Sequence, residues 1–133
     1  MLTYFDSVIV IYLIDHTGTF QARATKRLAS SMALGDQFAV SDLTRLECRV
    51  RPIALGDQIK LAGFDAFFAR PDIQRVSLTT AVYDKATIVR ATCNFKLGDS
   101  LHLAAAIEAG CDRFLTNDHR LSKCTDIAIE VLP

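Results

Sequence analysis

Asp6, Glu47, Asp99 and Asp118 are the residues of this chain best placed to do chemistry together. Each reads as lying at or just past the predicted carboxyl end of a strand, in a sequence that alternates strand and helix throughout. In an open parallel α/β sheet every strand delivers its carboxyl end to the same edge, so acids far apart in sequence converge there. Converging carboxylates repel, each pair by roughly 4 kcal/mol at about 4 Å and an effective dielectric near 20. Either several of them hold protons or a hard divalent cation joins them. Donors that are all oxygen suit Mg²⁺ or Mn²⁺ better than zinc, and the cation reading is preferred.

Each acid also has an ordinary reading. Asp6 and Asp99 are both placed to cap a helix, and Asp118 sits in a turn where Asn117 is an alternative oxygen ligand. Thr44, Glu47 and Arg51 fall at i, i+3 and i+7 on one helix face, so Glu47 can pair with Arg51 in solvent. Leu43, Leu46 and Val50 take the apolar positions of that helix, however, which sets Glu47 beside a buried face. Two other phosphate-handling classes fail on spacing. A haloacid-dehalogenase-type phosphatase needs a second Asp two residues after the first, where Val8 stands; a receiver domain needs an Asp after the third strand, where Leu78-Thr79 stands.

The elements that must position these acids follow from periodicity and capping. Leu2 to Phe5 reads as a strand, and Asp6-Ser7 as the cap of an element through Leu13 whose β-branched run is ambiguous between helix and strand. After His16-Thr17-Gly18, Thr19 is placed to cap a helix whose Phe20, Ala24, Leu28 and Met32 form a core-packing stripe, stopped by Gly35. Gln37 to Val40 is a second strand, and Ser41 caps a helix that Pro52 ends. Asp57 caps a helix with Ile59, Ala62, Phe67 and Phe68 facing inward. Ile73 to Leu78 is a strand, Thr80 to about Cys93 a helix, and Gly98-Asp99 opens a helix from Ser100 to Ala109, apolar nearly all round, closed by Gly110. Arg113 to Thr116 and Ile127 to Leu132 complete five strands. The fold class is α/β, a three-layer α/β/α sandwich with a mainly parallel five-stranded sheet.

With its elements in place, the order of blocks resembles the PIN domains, small metal-dependent ribonucleases, and in particular the single-domain VapC-type toxins of bacterial type II toxin–antitoxin pairs. The resemblance rests on Tyr4-Phe5-Asp6-Ser7, Ser41-Asp42-Leu43-Thr44-Arg45-Leu46-Glu47, Gly98 through Ala106, and Phe114-Leu115-Thr116-Asn117-Asp118. It implies that Asp6, Glu47, Asp99 and Asp118 are the catalytic, metal-binding quartet, with Ser7, Thr44, Thr116 and Asn117 in support. It implies hydrolysis of RNA phosphodiesters with Mg²⁺ or Mn²⁺, a cognate antitoxin as partner, and a homodimer. Val8, where the family has a small polar residue, and Gly98, where it often has proline, depart from the pattern. They raise the alternative of a non-catalytic RNA- or protein-binding module of the same fold; an α/β metal phosphohydrolase of small substrates is a third reading.

Charge and composition bound the rest. The 133 residues are 50% hydrophobic and carry 15 basic and 15 acidic residues, so net charge draws in no nucleic acid and a local patch must. Arg45, Arg49 and Arg51 around Glu47, with Lys96, His119, Arg120 and Lys123 flanking the other blocks, are the expected RNA contacts, positioning phosphates without reading sequence. His102, one turn beyond Asp99, reads as a packed, hydrogen-bonded core histidine. Cys48, Cys93, Cys111 and Cys124 lack metal-ligand spacing and read as reduced thiols. The chain is expected to form one domain over residues 1–133, without a membrane span, in the cytoplasm.

Overall fold

Tyr4 and Phe5 leave the first strand on opposite faces, and that alternation assigns the two halves of the core. In the computed structural model, which describes residues 1–15 and 18–132, the order is β1 Leu2–Phe5, α1 Ser7–Ile14, α2 Gly18–Ala33, β2 Gln37–Ser41, α3 Asp42–Leu55, α4 Gln58–Phe68, β3 Ile73–Val76, α5 Thr80–Cys93, α6 Leu97–Glu108, β4 Arg113–Thr116 and β5 Ala128–Val131. A single 3-10 turn, His119–Lys123, links β4 to β5. On the Tyr4 face, Ala39 and Phe114 pack with Val82, Ala86 and Val89 of α5 and with Leu101 and Leu103 to Ala106 of α6. On the Phe5 face, Phe38, Val40 and Leu115 pack with Ile9 and Val10 of α1 and with Phe64, Phe67 and Phe68 of α4.

The sheet runs β3-β2-β1-β4-β5, and every pairing is parallel. The expected α/β sandwich is therefore the architecture found, parallel throughout. The chain winds outward from β1 to β3, then returns to the other side of β1 for β4 and β5. Strand order thus reverses between β1 and β4, and such a switch point opens a crevice at the carboxyl edge of the sheet.

The ambiguous segment after Asp6 is helical. Asp6 supplies an N-cap, and Ile9 and Val10 both bury on the Phe5 face, so tertiary packing overrides the β-branched preference. Several boundaries differ from the expectation. α2 begins at Gly18, so Thr19 lies inside it, while His16 and Thr17 fall outside the described residues. α2 packs on α1 at the outside of the sandwich, so only Ala24 and Ser31 bury fully, and Phe20 and Met32 stay 45% and 48% exposed. α3 does not stop at Pro52: the buried proline removes one ladder donor, and the helix runs three residues further to a left-handed Gly56, φ 67°. Its buried face is Thr44, Cys48 and Pro52, and Leu46 and Val50 lie outside at 58% and 57% exposed. In α4, Phe67 and Phe68 face the core as expected, but Ile59 is 89% exposed and Ala62 is exposed as well. β3 ends at Val76, two residues early, because β2, its one partner, ends opposite it at Ser41. α6 starts at Leu97 with Lys96 as its cap, so Gly98 and Asp99 are helical and not the turn before the helix.

Candidate metal centre

The carboxyl ends of β1 and β4 place Asp6 and Asp118 beside the crevice directly; Glu47 and Asp99 arrive by another route. They lie in the first two turns of α3 and α6, whose N-termini open at the same edge of the sheet, so the expectation that all four follow strands holds for two. A helix N-terminus also favours the ionised carboxylate.

Asp6 is held at both oxygens. Its Oδ1 accepts the Ser7 backbone N–H at 2.8 Å, and its Oδ2 accepts the Thr116 hydroxyl at 2.7 Å. The same Thr116 oxygen accepts the Asp118 backbone N–H at 3.1 Å, so one hydroxyl ties the first acid to the fourth across β1 and β4. Ser7 donates its hydroxyl to Glu47 Oε1 at 2.7 Å, linking the first acid's helix to the second acid. Ser7 and Thr116 are thus each hydrogen-bonded to a candidate acid. Asn117 is placed differently: its side-chain amide donates to the Tyr12 hydroxyl at 2.7 Å.

Charge accumulates at Asp99. Partial burial raises its carboxyl above the ordinary aspartate range, and the charges of Asp6 and Asp118 raise it further, against opposing contributions from Arg120 and His102. Asp118 moves the other way, held low chiefly by hydrogen bonds from Arg120, whose Nη2 sits 2.6 Å from Oδ2 and whose Nε sits 3.1 Å from Oδ1. For Glu47, burial pushes the carboxyl up, but the hydrogen bond and charge of His102 outweigh it together with Ser7, and the net shift is downward. Its Oε1 contacts His102 Nε2 directly. Gly98 lies against this carboxylate, since a Cβ there would stand 3.6 Å from Glu47 Oε2.

As placed, no three His, Cys, Asp or Glu among the described residues stand close enough together to enclose an ion. Glu47 is turned to His102 and Asp118 to Arg120, which accounts for that. The donor chemistry still fits a hard divalent cation: the candidate donors are all carboxylate oxygens, and Asp99 bears like charge from two sides that a cation would relieve. Asp6 and Asp99 are the two acids with no basic side chain hydrogen-bonded to them among the described contacts.

The expected RNA contacts scatter. Arg45 and Arg49 turn to α4 and converge on Asp65, at 4.0 and 2.9 Å, rather than surrounding Glu47. The i+4 spacing that groups them on one helix face aims that face at a neighbouring acid. Arg51 does share a cavity of about 150 Å³ with Glu47, Ile11, Pro52 and Phe64. Lys96 and His119 are exposed at the starts of α6 and of the 3-10 turn. Thr44 is buried, with its hydroxyl accepting the Ser41 N–H at 3.1 Å in the capping box of α3. Sequence reasoning missed the part played by Tyr4, whose hydroxyl lies 2.8 Å from His102 Nδ1. The available signal was a lone tyrosine in an apolar strand, two residues before the first acid. His102 is buried and hydrogen-bonded, as expected.

An α/β sandwich with acids gathered at the switch point of a parallel sheet defines a class of small domains with an acidic crevice. The chain belongs to the PIN domain family, whose model matches residues 3–126. No curated protein matches it in sequence. Among solved structures it is similar to VapBC2 from Rickettsia felis bound to a fragment of promoter DNA, with a TM-score of 0.82 at 14% identity and 100% of both chains covered. It is also similar to VapC20 of Mycobacterium tuberculosis, a toxin that cleaves the sarcin-ricin loop, with a TM-score of 0.81 at 13% identity, covering 98% of this chain and 99% of that one. A third likeness is to FitAcB of Neisseria gonorrhoeae, with a TM-score of 0.73 at 14% identity, covering 96% and 95%. At these identities the likeness is one of fold. No helix among the described residues is long and apolar enough to cross a membrane.

Proposed function

We propose that this chain is a metal-dependent endoribonuclease, the toxin of a bacterial toxin–antitoxin pair, acting in the cytoplasm. The reading is supported by the family match over residues 3–126, with Asp6 and Asp118 tied through Thr116 at the ends of the paired strands β1 and β4, where the strand order reverses. Asp6 and Asp99 would hold Mg²⁺ or Mn²⁺ directly, with Glu47 and Asp118 completing the site once released from His102 and Arg120. A bound divalent ion supplies a water of lowered pKa and polarises the phosphoryl oxygen. Thr116 and Ser7 keep Asp6 and Glu47 oriented toward the crevice. Arg120, freed from Asp118, would join Lys96, His119 and Arg51 in gripping phosphates, which positions an RNA strand without specifying its sequence.

A toxin–antitoxin complex from Klebsiella pneumoniae, to which this chain is similar in fold, suggests the partner. Its blocking group is expected to be an arginine, which pairs bidentately with carboxylates in place of a cation. Arg120 on Asp118 already displays that pairing within the chain. Raised Mn²⁺ is therefore expected to weaken inhibition, and an antitoxin affinity indifferent to Mn²⁺ would place the inhibitory contact elsewhere.

The deciding experiment incubates the purified chain with structured RNA, with and without Mn²⁺, beside a chromogenic phosphate ester. Metal-dependent RNA cleavage with the ester untouched is the expected result. RNA binding without cleavage would favour the non-catalytic module, a reading that the engagement of Glu47 by His102 and of Asp118 by Arg120 supports. Ester hydrolysis with intact RNA would favour a small-substrate phosphohydrolase.

A further inference from the structure

We infer that Tyr4 and His102 are positioning residues that orient the Glu47 carboxylate toward the acidic crevice. The inference rests on the reading of Glu47 as a member of the metal site.

His102 is 2% exposed and Tyr4 fully buried, beneath the acids on the Tyr4 face of the sheet. Nε2 of His102 faces Glu47 Oε1 and lies 3.3 Å from the Ser7 hydroxyl, while Nδ1 lies 2.8 Å from the Tyr4 hydroxyl. That hydroxyl in turn donates to Ser41 Oγ at 2.8 Å, and Thr44 Oγ1 stands 3.4 Å away. The Tyr4 ring is itself clamped, stacked on Phe114 at 5.4 Å and 11° and edge-on to His102 at 5.8 Å.

Three features make this more than a satisfied core network. A carboxylate only accepts hydrogen bonds, so Nε2 must donate to Glu47, and the ring orientation follows from that one bond. Each element that the network joins carries one of the four candidate acids: β1 leads to Asp6, α3 holds Glu47, and α6 holds Asp99 three residues before His102. The network therefore fixes the spacing of three carboxylates at once, as partners behind metal ligands do elsewhere. It also ends on Glu47, the acid whose side chain is 40% exposed and, among the described residues, is otherwise held by Ser7.

The test measures Mn²⁺ affinity by calorimetry on folded protein, with RNA cleavage as a second readout. His102→Leu removes the donor, whereas His102→Gln keeps an N–H within reach of Glu47. Leu is expected to weaken Mn²⁺ binding by about 10- to 100-fold and to lower kcat with KM unchanged, and Gln to restore most of both. In a Glu47→Gln background, His102→Leu is expected to have no further effect on Mn²⁺ affinity. Wild-type Mn²⁺ affinity in a folded Leu variant, equal loss in Leu and Gln, or a wild-type chain that binds no Mn²⁺ would each overturn the inference. Should both variants at 102 fail to fold, Tyr4→Phe, which removes one hydroxyl and preserves packing, carries the test: a several-fold weaker Mn²⁺ site is expected, and an unchanged one is the refuting result. If the wild-type chain binds Mn²⁺ but cleaves no RNA, the ribonuclease reading falls while the affinity comparison still decides this one.

Discussion

Asp99 and Asp6 hold most of the uncompensated charge in the crevice, and that decides how their neutral isosteres behave. Asp6→Asn and Asp99→Asn are each expected to abolish RNA cleavage while leaving the metal-free thermal midpoint unchanged or raised, because one of several like charges is gone. An asparagine at position 6 still caps α1, so that variant keeps its local fold. Melting lowered by several degrees in EDTA, or wild-type cleavage in either variant, would remove both acids from the site. The acids were legible in the sequence because each sits in a short block whose neighbours announce a strand end or a helix start. The partners of those acids were not. That Glu47 meets His102, or Asp118 meets Arg120, depends on rotamers and on packing between elements far apart in sequence, which no local spacing encodes. Arg45 and Arg49 show the same gap, since their shared helix face was visible and the Asp65 that receives it was not.

Among the elements, β5 and α2 are joined through a single carboxylate. Glu130 of β5 accepts from Arg27 of α2 at 2.9 Å and from Arg113 of β4 at 2.8 Å, tying an edge strand to its neighbour and to the outermost helix. The hydrogen bond from Arg27, first among several causes, holds the Glu130 carboxyl below its ordinary value, burial opposing it. A carboxyl lowered in the folded state adds stability above its unfolded pKa, and that contribution disappears as pH falls through the folded value. Glu130→Gln is therefore expected to cost about 1 kcal/mol at neutral pH, discounted for partial exposure, with the gap to the wild type closing below about pH 4 in thermal melts. A gap of constant size across that range would mean that packing, not charge, supplies the effect. Element types were readable from capping and turn signals, such as Asp57 before α4 and the left-handed Gly110 after α6, φ 71°. Which apolar residues face inward was less so. Ile59 and Val50 are hydrophobic on their helices but lie on faces with nothing packed over them, while Ser41, Thr44 and Ser100 are buried because other polar groups receive them.

For the whole molecule, the exposed apolar residues bear on assembly. Phe67 and Phe68 lie in the core at 4% exposure each, so they offer no surface for pairing. Leu46, Val50 and Ile53 of α3, each more than half exposed, form an apolar strip on the outside instead. A strip of this kind marks a surface that meets another protein. A homodimer is expected at micromolar concentration by light scattering, and Leu46→Glu with Val50→Glu is expected to shift the mass toward the monomer. A strictly monomeric mass for the wild-type chain would refute the pairing.

The placement of β1 between β2 and β4 also sets the order in which the chain can acquire activity as it is made. Asp6 is synthesised well before its partners: the Thr116 hydroxyl that holds it comes 110 residues later, and Asp118 later still. A nascent chain emerging from the ribosome carries the first acid beside an unfilled place in the sheet. The acidic crevice cannot close until β4 is free to slot in beside β1. Ribosome-bound chains stalled before residue 113 are expected to lack metal-dependent cleavage, and released full-length chains to gain it.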